Sequence, residues 1–315
     1  MNEFYPQAEQ AGIKILADRF NSRDQELRIG KVQDTSKLLE SPFLPRLVEI
    51  YRDIYGHGPK VDKSGWGEYV KCANPRCEAQ LSIEEIYHNA TYVPLAELEK
   101  PPAPKLPNCV KCGSAMELFY PPEKLQQQFI QEFNRKAVEI VFLLDSQGTP
   151  YGFSYTWEDT LSGIWEAKLA SLYRNSGLDL DSFLKQVRLN SQAKIQPDSK
   201  ITYLAEIAHS FKTRGSDLFA KMIKNLFESQ QIDQPCCFYT QESSRFYLLI
   251  VAAGARLVFQ EENSPVKILM GANRAFSQAF EGTPEQTRAL LARLKKLIYN
   301  TKPSTKPSPS YASNA

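Results

Sequence analysis

The sequence predicts a mixed α/β protein that carries a cysteine-rich ribbon in its first half, and three observations support this. Strand-like and helix-like patterns interleave in an irregular order, unlike a repeating βα wheel. Four of the six cysteines form two close pairs, Cys72/Cys77 and Cys109/Cys112. The 315-residue chain is 42% hydrophobic, enough for a sizeable core and too apolar for disorder throughout. Its net charge is only +2, so any nucleic-acid contact must come from a local patch. No apolar run approaches about 20 residues, which argues against an ordinary membrane-spanning helix, and the opening MNEFYPQAEQ has no apolar signal core. A cytoplasmic protein without membrane partners is expected, and there close cysteine pairs are more often metal ligands than disulfides.

Residues 1–25 are polar with weak periodicity and read as an N-terminal extension. Glu26–Lys31 alternates as a strand. Pro45 then lies near the start of a helix carrying Leu44, Leu47, Val48, Tyr51, Ile54 and Tyr55, which ends at Gly56/Gly58. The segment 66–121 holds both cysteine pairs, and its Leu98–Pro107 stretch is a loop. After Pro121 and Pro122 comes a helix with the stripe Leu125, Phe129, Ile130 and Phe133. Strands follow at Ala137–Leu144 and Tyr151–Trp157, with DSQGTP as the hairpin turn between them.

Residues 158–200 read as two short helices. Strand Ile201–Ala208 feeds a helix over Ser216–Ser229, strand Pro235–Thr240 feeds a helix over Ser243–Ala253, and Ala255–Gln260 and Val266–Met270 are strands. A capping box at Thr283–Gln286 starts a last helix, and the Pro/Ser/Lys tail 301–315 has nothing to bury and is expected to be disordered.

Cys72-x4-Cys77 and Cys109-x2-Cys112 supply four thiolates from two tight turns, a donor set and chelate arrangement that suit tetrahedral Zn2+. Gly113 after the second pair tolerates the left-handed backbone such a knuckle needs. This resembles a zinc ribbon. With four thiolates and no open position, its zinc is expected to be structural. Lysines and glutamates mix around it, so nucleic-acid binding through the ribbon is an alternative that ranks below a folding or docking role. Cys236 and Cys237 lie in an apolar strand and read as packing residues.

In the C-terminal half, strand Ile201–Ala208 runs through HSFKTRGSD into a helix, placing backbone N–H groups and a positive helix end where a pyrophosphate could sit. With ELRIGKVQDTSKL, LPRLVEIYRDIY, AVEIVFLLDSQGTPYGFSYTW, YLAEIAHSFKTRGSDLFAKMI and SSRFYLLIVAAGARLVF in this order, the chain resembles the GNAT acetyltransferase superfamily over about residues 26–58 and 122–270. The resemblance implies a splayed, mixed central sheet flanked by helices. It divides the chain into 26–65 and 122–282 as the two parts of one domain, 66–121 as a zinc-ribbon insertion and 283–300 as a C-terminal helix.

The resemblance further implies acetyl transfer from acetyl-CoA to an amine, either a small molecule or a protein group. Residues implied to hold CoA are Ile207, Ala208, Lys212, Arg214, Gly215, Ser216 and Asp217. Lys212 stands where the family's Arg/Gln-x-x-Gly-x-Gly/Ala motif opens, and Asp217 stands at its final small residue, where a carboxylate opposes phosphate. The family's tyrosine acid would fall at Ile250, so Tyr247, one turn earlier, is the substitute candidate. Glu206 and His209 are the candidate bases. A GNAT-like module that binds CoA without turnover is the rival reading, favoured by Asp217 and Ile250.

Overall fold

The computed structural model describes residues 6–300 other than 23–24, 59–60, 62–66, 89–91, 102–104, 174–177, 192–194, 211–215, 229, 231–232, 242–243, 261–265 and 281–283. Its strands are β1 (Ile13–Ser22), β2 (Gln25–Val32), β3 (Val70–Cys72), β4 (Gln80–Leu81), β5 (Met116–Leu118), β6 (Glu139–Asp145), β7 (Pro150–Thr160), β8 (Lys200–His209), β9 (Pro235–Gln241), β10 (Arg256–Gln260) and β11 (Val266–Ala272). Eight form one sheet in the order β1-β2-β6-β7-β8-β9-β11-β10, and β4-β3-β5 form a small second sheet. All neighbours in the large sheet are antiparallel except β8 and β9. The fold is therefore the mixed sheet flanked by helices that the sequence predicts.

Side chains alternate across this sheet and build a core on each face. On β6, Ile140, Phe142 and Leu144 enter one core while Val141 and Leu143 enter the other. The first face is covered by α1 (Phe43–Gly56), α2 (Pro122–Phe133) and α3 (Leu180–Ser191), through residues such as Leu47, Tyr51, Phe129 and Phe183. The second is covered by α4 (Ser216–Phe227), α5 (Arg245–Ala252) and α6 (Asn273–Ala279), through Met222, Ile223, Ile250 and Phe276. Each such large side chain contributes about 1.5–3 kcal/mol on burial. A last helix, α7 (Pro284–Asn300), follows.

Two expectations need correction. Residues 13–22 are a ten-residue strand paired to β2, not part of a polar extension. Ile13 and Ile15 pack into the first core and Leu16 into the second, apolar positions that the reading of 1–25 as polar passes over, and β1 lies at the edge of the sheet. The segment 158–200 extends β7 to Thr160 and then winds into a helix whose middle, Trp165–Leu169, is a π-turn before α3. The β6–β7 hairpin forms where DSQGTP predicts it, with Asp145 Oδ1 accepting from Gln147 N at 2.9 Å and Thr149 N at 2.8 Å. The cap at Thr283 and the tail 301–315 lie outside the described residues.

Candidate active site and metal centre

The small sheet brings the two cysteine pairs together. β3 delivers Cys72, the turn after it delivers Cys77, and the turn before β5 delivers Cys109 and Cys112. Their four sulfurs lie within 4.8 Å of one another. Gly113 N–H donates to Cys109 O at 2.7 Å, closing the second knuckle at φ +74°, a conformation glycine adopts at no steric cost. Hydrogen bonds from Ser114 lower the Cys112 thiol to about 6, while burial pushes the Cys72 thiol up to about 12. Four converging sulfurs fit a tetrahedral soft-metal site.

Polar contacts fix this ribbon to α1. Arg52 grips Glu99 through two bonds of 3.0 and 2.7 Å, and Tyr69 Oη donates to the same carboxylate at 2.5 Å. Asp53 accepts from Tyr92 Oη at 2.5 Å and Leu95 N at 2.9 Å. His57 Nδ1 lies 2.5 Å from Glu84 Oε1, and the other oxygen of Glu84 accepts from Gly58 N at 2.9 Å.

The centre of the large sheet opens where β8 meets β9. Their parallel register consists of two pairs, Thr202 with Cys236 and Tyr203 with Cys237. Past Tyr203, β8 continues along β7 to His209, while β9 continues along β11 to Gln241. A register shift against β7 leaves Ala205 as an extra residue between Leu204 and Glu206, and such a bulge bends the strand and increases its twist. Gly152 permits the close approach of β7 there: a Cβ on it would stand 2.7 Å from His209 Cβ and 2.8 Å from Ala208 O.

Glu206 stands at this gap, opposite Tyr155 on β7. Tyr55 Oη donates to its Oε2 at 2.7 Å and Tyr51 Oη to its Oε1 at 3.3 Å, both from α1. Burial pushes its carboxyl up to about 7, against the lowering effects of the Tyr55 hydrogen bond and the Lys168 charge. Lys168 is itself ion-paired to Glu132, which also accepts from Tyr155 Oη at 2.6 Å. Tyr239 on β9 feels the Glu206 charge from across the gap, and burial raises its phenol above the ordinary range. Tyr51, Tyr55, Tyr120, Tyr239 and Glu68 are parts of this site that the sequence reading did not single out. For Tyr51 and Tyr55, the helical stripe marked them as core and gave no sign that their hydroxyls meet a carboxylate.

The remaining candidates are placed as follows. His209 ends β8, and burial pushes it down to about 4, so it is neutral at neutral pH. Ile207 packs against the second-face core and Ala208 against the first. Tyr247 lies on α5 in the second-face core, with its ring 5.7 Å from Lys267 Nζ. Glu206 and Tyr247 are thus anchored on opposite faces of the sheet. Ile250 is fully buried in that second core, and Cys236 and Cys237 are buried packing residues. Lys212, Arg214 and Gly215 lie outside the described residues, while Ser216 and Asp217 open α4, which begins just beyond the end of β8.

No helix among the described residues is long and apolar enough to cross a membrane. No family model matches the sequence, and no curated protein matches it. Similar solved structures include a histone acetyltransferase HPA2 and related acetyltransferase from Corynebacterium glutamicum, 15% identical, covering 47% of this chain and 73% of that one at a TM-score of 0.31. Another is arylalkylamine N-acetyltransferase 2 from Aedes aegypti, also 15% identical, covering 48% and 80% at a TM-score of 0.31. A third is a spermidine/spermine N-acetyltransferase from Vibrio cholerae, 9% identical, covering 50% and 78% at a TM-score of 0.26. Each of these three likenesses covers about half of this chain.

Proposed function

We propose that this chain is an acyltransferase that moves an acetyl group from acetyl-CoA to an amine, with Glu206 as general base. The observation that carries this reading is a carboxylate set at the gap between diverging strands, oriented by two tyrosine hydroxyls and lifted to about 7. A base with that affinity is about half ionised at neutral pH and can take a proton from an ammonium directly or through water. The freed nitrogen attacks the thioester carbonyl, the new N–C bond forms and the C–S bond breaks. Backbone N–H groups along the diverging edge of β8 would steady the developing oxyanion. The departing thiolate takes a proton from solvent or from Tyr247. His209, neutral and weakly basic, is the poorer base of the two.

The pyrophosphate of CoA is assigned to the segment Lys212–Asp217, whose last two residues open α4. A helix of that length offers free N–H groups and a positive end to an anion. Zn2+ is assigned to Cys72, Cys77, Cys109 and Cys112. When bound, it supplies structural cross-linking, since a closed thiolate site couples metal affinity to folding.

Mass-spectrometric detection of N-acetyl products over a panel of amines tests the activity. Binding of CoA should be lost in Gly215→Glu, which puts bulk and negative charge at the phosphate turn. Undiminished CoA binding by that variant would overturn the site assignment. CoA binding without transfer to any amine would leave a binding module instead of an enzyme.

A further inference from the structure

Glu206 shares the first face of the sheet with a second carboxylate. This is Glu132 on α2, which is 3% exposed. Three donors meet its two oxygens: Tyr155 Oη lies 2.6 Å from Oε2, while Gln128 Nε2, at 3.0 Å, and Lys168 Nζ share Oε1. Tyr155 joins the two acids, because it pairs with Glu206 across β7 and β8, and the side chains of such a pair leave the sheet on the same face. Lys168 comes from the π-turn Trp165–Leu169, whose end residues Trp165 and Leu169 are buried in the first core. Packing therefore fixes the turn that carries Lys168, and turns of this kind are frequent at functional sites.

Titratable groups act on Glu206 from each element packed around it. The phenols are Tyr51 and Tyr55 on α1, Tyr155 on β7, Tyr203 on β8 itself and Tyr239 on β9, with Tyr120 beyond α1 and bonded in turn to Glu68. Burial raises all of them above the ordinary phenol range, so they are neutral at neutral pH and act on Glu206 as dipoles. Lys168 and Glu132 act on it as charges of opposite sign: Lys168 favours its carboxylate form and Glu132 opposes it. An ammonium in direct contact with Glu206 would make it a poor base, since an adjacent opposite charge lowers a carboxyl by about one to three pH units. Here the ammonium is in contact with Glu132 instead.

We propose that Lys168 and Glu132 are positioning residues for Glu206: Glu132 keeps the Lys168 ammonium on itself, where it steadies the base when charged and does not neutralise it by direct pairing. The inference rests on the acyltransferase reading only for the role of Glu206 as base. When Glu206 takes a proton from an ammonium, Lys168 and Glu132 keep their own protonation, and the Tyr155 hydroxyl stays bonded to Glu132. A change in the pair alters how tightly Glu206 holds its proton without touching acyl donor or acceptor.

The test follows the carboxyl carbon of Glu206 by NMR against pH, in the full metal-loaded chain without substrate, the signal being identified by its loss in Glu206→Gln. Glu132→Gln frees Lys168 and should lower the midpoint by about one pH unit, a tenfold change in proton affinity. Lys168→Met removes the cation and should raise the midpoint by a similar amount, whereas Lys168→Arg, which keeps the charge, should leave it near that of the parent. Loosened packing would admit water and lower the midpoint in every variant. A fall in Lys168→Met therefore overturns the proposal, and so does a midpoint unmoved in either charge-changing variant. Where Glu132→Gln does not fold, the contrast between Lys168→Met and Lys168→Arg decides alone, and Lys168→Gln replaces the methionine variant where that one does not fold. The limb of kcat/KM near 7 should move with the same signs. Midpoints that move as expected in a chain that acetylates no amine would leave this inference standing and remove the acyltransferase reading. Transfer with a rate limb that ignores both variants would do the reverse.

Discussion

Replacing Glu206 with glutamine separates the cost of this carboxylate from its use. Its carboxyl is lifted from the usual 4.5 to about 7, and each tenfold in acidity corresponds to about 1.4 kcal/mol. Keeping it ionised therefore costs the fold at most about 3 kcal/mol, and about 2 kcal/mol once its partial solvent access is counted. Between pH 4.5 and 7 the folded chain binds more protons than the unfolded one, so stability falls as pH rises through that window. The full penalty is present above pH 7 and absent below 4.5. Glu206→Gln should thus be more stable than the parent at pH 8 by about 2 kcal/mol, a rise in Tm of about 3 °C for a chain of this size, with the gap closing by pH 4.5. The same variant should lose about a hundredfold or more in kcat/KM, together with the limb of the pH profile near 7. Thermal melts at a series of pH values and a rate profile would check both. A stability difference that does not vary between pH 4.5 and 8, or a retained rate limb near 7, would refute the assignment of Glu206 as a strained base.

Elemental analysis should find one zinc per chain, reduced by Cys112→Ser and unchanged by Cys236→Ser or Cys237→Ser, since the latter two are packing residues. Tyr247→Phe should lower turnover by about tenfold to a hundredfold with little change in CoA affinity, and an unchanged rate would mean that solvent protonates the thiolate. Hydrogen exchange should show the ribbon held most firmly to α1 between about pH 4.5 and 6.5. His57 is raised above 6.5, against the lowering effect of burial, by the Asp53 carboxylate 3.4 Å from its Nε2 and by its contact with Glu84, so its contribution is present below 6.5 and lost as pH rises through the raised value. Glu84 is lowered below 4.5 by Gly58 N–H and His57, so its contribution is lost as pH falls. His57→Asn should flatten the alkaline side of that profile.

Much of the fold was legible because its strongest signals are periodic. The stripe of α1, the alternation of β2 and β6 and the DSQGTP turn all report local chemistry, and each element forms close to where its pattern lies. β1 was legible only in its apolar positions Ile13, Ile15 and Leu16, which the reading of 1–25 as polar passes over. The four-cysteine cluster was legible for the opposite reason: paired cysteines signal their convergence at any distance in the chain. The cluster of tyrosines around Glu206 was not. Tyr51 and Glu206 are 155 residues apart, and the helical pattern that places Tyr51 in a core does not say that its hydroxyl will meet a carboxylate. Glu206 as an isolated acid in a strand was visible, but its value depends on burial that only the assembled sheet supplies.

The position of the ribbon in the chain also bears on how the site works. It leaves the large domain after α1 and returns before α2, the two helices packed on the face that carries Glu206. Glu68 and Tyr120, near its two ends, are tied to each other by a hydrogen bond, and the Tyr120 ring packs on Tyr51 of that face. The Arg52–Glu99 and His57–Glu84 contacts then hold the body of the ribbon against the same helix. Loss of the metal would loosen β3 and β5, and with them the two residues at their outer ends. The first consequence should appear at the packing of Tyr120 on Tyr51, ahead of any change in α4, which packs on the other face of the sheet.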